Sequence, residues 1–132
     1  MLGDPDAVDH IAMALPPGLL DSWVLFYRAV LGFEGRETLT LPDPFGLVRS
    51  RAMSDVARTV RVPLNVAFGQ QTATAQAVLN HSGAGVHHIA FSCENIFVAV
   101  ERLRAAGAPL LPIPGNYYDD LRARSELSEE FI

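Results

Sequence analysis

The sequence contains no lysine: all ten basic side chains are arginines, set against 15 acidic ones for a formal charge of −5. No basic run or aromatic-basic patch breaks that balance, so nucleic-acid binding is disfavoured. The single cysteine, Cys93, excludes an internal disulfide and reads as small core filler within "AFSC". No stretch approaches the roughly 18 apolar residues of a membrane span, and "MLGDPDAVDH" lacks the basic region and apolar stretch of a secretory signal. A cytoplasmic protein without a membrane partner is therefore expected. What is present is 49% apolar content in 132 residues, enough for one domain with a real core.

Strand and helix signals alternate along the chain. Residues 7–15, "AVDHIAMAL", alternate as a strand and end at Pro16-Pro17-Gly18. The next segment, "LLDSWVLFYRAVLGF", predicts a helix of about three turns with Trp23, Phe26, Tyr27 and Val30 at helical spacing. Asp21 or Ser22 is its expected cap and Gly32 its stop. Three extended pieces follow, "FEGRETLTLP", "GLVRSRAMSD" and "RTVRVPLNVAFG", and then a short helix, "TATAQAVLN". From Gly85 the pattern restarts with the strand "GVHHIAFSC" and the helix "NIFVAVERLRAAG". Asn95 is the expected cap of that helix, Ile96, Val100 and Leu103 its apolar face, and Gly107 its stop. "APLLPIP" is expected to be extended, "GNYYDDLRARS" a loop and "ELSEEFI" a polar end. The chain thus divides into a first unit (7–69), a connecting helix and turn (70–84) and a partial second unit (85–132) within one domain, 1–132.

Val8, His10, Ile11 and Ala12 align with Val86, His88, Ile89 and Ala90, so the repeat carries a histidine. In a regular strand His10 shares a face with Ala12 and Ala14, and His88 shares one with Ala90 and Ser92, while the bulkier Ile11, Met13 and Leu15 and Ile89, Phe91 and Cys93 face a helix. Small neighbours leave room beside each imidazole. A lone histidine in an apolar strand is more often a hydrogen-bonded core residue. Two at matching positions of a pseudo-twofold pair can instead converge on one divalent metal. His87 falls on the opposite face of a regular strand, at the rim of the pocket, and His81 reads as a surface residue.

The segments "VDHIAMAL", "WVLFYRAVLGFE", "FGLVRSRAM", "RVPLN", "GAGVHHIAF" and "LLPIPGNYYDDL", in this order, resemble the C-terminal domain of the 4-hydroxyphenylpyruvate dioxygenase family within the vicinal oxygen chelate superfamily. More narrowly, the chain is similar to the dioxygenase-like domain fused to bacterial 3-dehydroshikimate dehydratases. The resemblance implies an α+β, glyoxalase/dihydroxybiphenyl dioxygenase-like fold of paired βαβββ modules, the second module incomplete. It further implies metal ligands at His10 and His88, a third glutamate ligand beyond the chain end, and Fe(II) or another divalent metal as cofactor. Ser50 and Asn65 match positions that contact a 2-keto acid in the dioxygenases; a strand-surface serine and a bulge or turn asparagine are the alternatives. The dioxygenases usually carry glutamine where this chain has His87 and in the segment corresponding to 72–75, which counts against the dioxygenase reaction in the isolated chain. A small-molecule ligand and a homodimer closing the half-built module are the expected partners. The alternative function is a non-catalytic scaffold or regulatory domain of a bifunctional dehydratase.

Overall fold

Residues 7–113 and 115–124 are described by the structure, a computed structural model, and the polar end "ELSEEFI" lies outside them. Strand β1 (Ala7–Leu15) leads into helix α1 (Leu20–Leu31), followed by β2 (Glu34–Gly35), β3 (Leu39–Asp43), β4 (Gly46–Ser54) and β5 (Arg61–Ala67). Helix α2 (Ala73–His81) carries the chain to β6 (Gly85–Ser92), α3 (Ile96–Ala105) and α4 (Gly115–Arg124). One mixed sheet has the order β2-β4-β5-β1-β6, with β3 also pairing on β4. Strand β5 runs parallel to β1, and β6 runs antiparallel to it. The two strands that carry the repeated histidine are therefore direct neighbours.

Three local expectations change. The first extended piece breaks into β2 and β3, which pair with successive parts of β4. A Cβ at Gly35 would lie 2.9 Å from Nε of the Arg51 side chain. Helix α1 starts earlier than expected: Leu19 occupies the cap position without a side-chain bond, which places Asp21 and Ser22 inside the first turn. Asp21 there still meets the positive end of the helix dipole. The segment expected as a loop forms α4, and residues 108–113 form no strand. Gly32 does end α1, in the left-handed region at φ 67°, and Asn95 Oδ1 caps α3 by accepting from the N–H groups of Phe97 and Val98.

The core lies between one sheet face and α1. Leu15, Leu20, Val24, Met53, Val62 and Leu64 are buried together, with Met13, Trp23, Tyr27, Phe33 and Val66 packed against them. Of the aromatic face expected on α1, Trp23 and Tyr27 join this core, while Phe26 and Val30 remain exposed. The second unit packs far less. Ile89 and Phe91 of β6 are exposed, and α3 buries Ala99 rather than the expected Ile96 and Leu103. The bulky face of the second repeat thus does not meet its helix as that of the first does, because β6 is the end strand of the sheet among the described residues.

Candidate metal half-site at the repeat seam

Strands β1 and β6 pair so that Ile11 faces Ile89, its own repeat equivalent. The pseudo-twofold axis passes through that pair. His10 lies opposite Ala90 and His88 opposite Ala12, one step to either side of the axis, on the face away from the core. Diagonal neighbours across an antiparallel pair lie within reach of long side chains. The two rings meet edge to face with centroids 5.4 Å apart, and their Nε2 atoms are separated by 3.3 Å.

Two irregularities flank the axis. Pairing steps from Val8 with Phe91 to His10 with Ala90, leaving Asp9 as an extra residue, and from Ala12 with His88 to Met13 with Val86, leaving His87 as an extra residue. These are β-bulges at equivalent positions of the two repeats. A bulge re-aims a side chain that a regular strand would send to the opposite face. Asp9 accordingly reaches the ring of the next residue, accepting from His10 Nδ1 at 2.8 Å, and Arg61 Nη2 donates to its other oxygen at 2.6 Å. His87 makes the matching contact in the second repeat, its Nδ1 lying 2.9 Å from His88 Nδ1. The regular-strand expectation for His87 therefore fails at the bulge, and its ring joins the histidine cluster.

The hydrogen bond from His10, together with the Arg61 guanidinium, holds the Asp9 carboxyl below its ordinary range against a smaller opposing effect of burial. Burial, with the charges of His87 and His10, lowers the His88 pKa from its ordinary 6.5. The folded protein therefore holds fewer protons at His88 than the unfolded chain does, and the stability tied to this group is lost as pH falls through the folded midpoint. An NMR titration of the metal-free protein should place the His88 midpoint below 6.5, and His87→Ala should move it upward. A wild-type midpoint at or above 6.5 contradicts this assignment.

Two bonds of about 2.0–2.2 Å, opening at about 90–110°, separate their donor nitrogens by about 2.8–3.6 Å. The imidazole pair fits that span. Among the described residues no group of three or more His, Cys, Asp or Glu side chains is arranged to hold a metal ion. Ser50 and Asn65 lie directly opposite each other on β4 and β5, and Asn65 is also level with Ala14 of β1. By register they share the histidine face, but they stand about 7 Å further along β1 than the residues paired with His88. The structure thus brings His10 and His88 together and sets Ser50 and Asn65 apart from them as a second polar pair.

Sequence reasoning missed Asp9 and His87 as members of the cluster. The available signal was that both precede the repeated histidine and both are polar within strands.

Residues 7–125 match the Glyoxalase/Bleomycin resistance protein/Dioxygenase superfamily. Over 125 residues the chain is 51% identical to a 3-dehydroshikimate dehydratase of Pseudomonas putida, covering 95% of this chain and 20% of that protein. It is 32% identical to a 4-hydroxyphenylpyruvate dioxygenase of Caenorhabditis elegans, covering 95% of this chain and 34% of the relative. A solved structure of a xylose isomerase-like TIM barrel/4-hydroxyphenylpyruvate dioxygenase fusion protein superposes with a TM-score of 0.73 at 45% identity, covering 98% of this chain and 20% of that one. The chain thus spans only a fifth to a third of the length of these relatives, and its α+β fold with a mixed sheet is theirs in that region. By this match over most of its length, the chain belongs to the Glyoxalase/Bleomycin resistance protein/Dioxygenase superfamily.

Proposed function

We propose that the chain is a 4-hydroxyphenylpyruvate dioxygenase-like domain in which His10 and His88 supply two ligands to a divalent metal, Fe(II) or a similar ion, with a 2-keto acid or related chelating ligand in the open positions. The observation that carries this is the 3.3 Å approach of the two Nε2 atoms across the repeat axis. A divalent ion held there would act as a Lewis acid toward paired substrate oxygens and, in an oxygenase, would activate dioxygen. The chain's own contribution is to aim two imidazoles at one point and keep the adjoining face small, with Ala12 and Ala14 beside them. Ser50 and Asn65 are proposed as polar contacts for the distal part of the ligand. Zn²⁺ titrated into isotopically labelled protein should shift the His10 and His88 ring signals first. Shifts confined to His81 or to the acidic side chains would overturn the proposal.

A second reading, a non-catalytic scaffold or regulatory domain of a bifunctional dehydratase, is favoured by the 51% identity to one region of a 3-dehydroshikimate dehydratase. It is tested by turnover: the isolated chain should form no homogentisate from 4-hydroxyphenylpyruvate with added iron and ascorbate. Product above that of a His10→Ala variant would favour the oxygenase outright.

We also propose a cytoplasmic homodimer. Strand β6 is the end of the sheet among the described residues, and it presents Ile89 and Phe91 at 49% and 59% exposure. An unpaired apolar edge is a template for another strand, and a second copy pairing through β6 forms a closed twofold contact. Among the described residues no helix is long and apolar enough to cross a membrane. Sedimentation at micromolar concentration should give a dimer that Phe91→Glu converts to monomer; a stable wild-type monomer would rule it out.

A further inference from the structure

The bulged residues Asp9 and His87 each hold the inner ring nitrogen of the histidine that follows, but they do so with different chemistry. An ionised carboxylate only accepts hydrogen bonds, whereas a neutral imidazole nitrogen either donates or accepts depending on which tautomer the ring adopts. Asp9, anchored by Arg61 at 2.6 Å, therefore keeps the proton of His10 on Nδ1 and leaves a lone pair on Nε2. In the metal-free protein the 3.3 Å contact between the two Nε2 atoms then requires His88 to donate from Nε2. His88 Nδ1 becomes the acceptor of the Nδ1–H of His87, 2.9 Å away. The hydrogen bonds run in one direction, from His87 through His88 and His10 to Asp9.

We propose that Asp9 and His87 are positioning residues with distinct roles: Asp9 fixes His10 permanently in its ligand tautomer, while His87 lets His88 exchange one tautomer for the other when a metal arrives. This rests on His10 and His88 being the ligand pair. Metal at both Nε2 atoms requires the His88 proton to sit on Nδ1, where it donates to His87 Nδ1, and the His87 proton to sit on its own Nε2. No proton is gained or lost by the three rings. The process redistributes protons already present, and His10 does not take part. Residues that orient ligand imidazoles in this way typically affect metal affinity by about 10- to 100-fold. The bulges make the arrangement possible, since a regular strand would place neither Asp9 nor His87 beside its histidine.

The test uses long-range ¹H–¹⁵N NMR of the intact chain at fixed neutral pH, with and without Zn²⁺ as the probe. In the wild type His10 should carry its proton on Nδ1 in both states, while His88 should change from Nε2–H to Nδ1–H on adding zinc. Asp9→Ala should release His10 into a mixture of tautomers and weaken zinc binding about 10- to 100-fold. Asp9→Asn should not restore the Nδ1–H form, because the donor-only Arg61 guanidinium claims the amide oxygen and turns the NH₂ group toward His10 Nδ1. His87→Gln should hold His88 as Nδ1–H through its carbonyl and bind zinc at least as well as wild type, whereas His87→Phe should bind more weakly. If Asp9→Ala leaves the His10 tautomer unchanged while the fold stays intact by circular dichroism, the role given to Asp9 is wrong. An Nδ1–H form of His88 already dominant without zinc would overturn the exchange role of His87. Failure of the wild type to bind zinc would refute the ligand pair and with it the exchange at His88, whereas the metal-free tautomer of His10 in wild type and Asp9→Ala decides the role of Asp9 independently of any metal.

Discussion

Leu64→Ala is expected to destabilise the fold by about 2–5 kcal/mol, the range for emptying a well-packed apolar site. Leu64 has no exposed surface and occupies the middle of β5, paired with Met13 on one side and Arg51 on the other. Its side chain joins Leu15, Leu20, Val24, Met53 and Val62 in one buried cluster between α1 and the sheet. A core this small cannot spread the loss. Total stability of a domain is typically about 5–15 kcal/mol, so the substitution consumes a large share of it. Urea unfolding followed by tryptophan fluorescence measures it directly, since Trp23 packs against the same cluster. Val56→Ala serves as the control, because that side chain is 77% exposed and lies away from both the core and β6, so its removal should shift the midpoint little. A Leu64→Ala midpoint equal to wild type would mean that the core is not where stability resides.

Apart from the break into β2 and β3, the order of elements through α3 could be read from the sequence because each rests on local rules: apolar alternation in β1, β5 and β6, Gly32 as a left-handed stop, Asn95 as a cap. The family relationship was legible too, carried by six ordered segments rather than by any one motif. The repeat of Val8-Asp9-His10-Ile11 as Val86-His87-His88-Ile89 pointed to the seam between two equivalent strands, and Ile11 does face Ile89 there. What failed was whatever depends on pairing partners. A bulge has no residue signature when it contains Asp or His instead of Gly, so the strand faces of Asp9 and His87 could not be assigned from period-two alternation. Helix α4 was missed for a related reason: "NYYDDLRAR" has no apolar stripe to declare a helical period, and its polar residues suit a loop equally well. The apolar face expected on α3 assumed a sheet for it to cover. Only Ala99 is buried, because the sheet ends at β6 among the described residues.

With the proposed pair of ligands, removing either imidazole should abolish detectable metal binding, and the size of the effect follows from there being two of them. Structural zinc sites with four protein ligands bind with apparent free energies of about 10–16 kcal/mol, or about 3 kcal/mol per ligand. Two imidazoles therefore support about 5–8 kcal/mol, a dissociation constant between about 1 μM and a few hundred μM. Losing one ligand weakens this about 100-fold and carries it beyond the reach of calorimetry. His10→Ala and His88→Ala should each do so, and the double variant should be no worse than either alone, since a single remaining imidazole holds the ion no better than the surface does. His81→Ala is the matched control: its Nδ1 lies 2.7 Å from the Ala77 carbonyl within α2, apart from the repeat seam, and its removal should leave the titration unchanged. Isothermal titration with Zn²⁺ and with Fe²⁺ under nitrogen distinguishes these outcomes. If His10→Ala and His88→Ala bind as the wild type does while His81→Ala does not, the ion has another home, and the 3.3 Å imidazole pair is a structural hydrogen bond between two strands instead of a metal half-site.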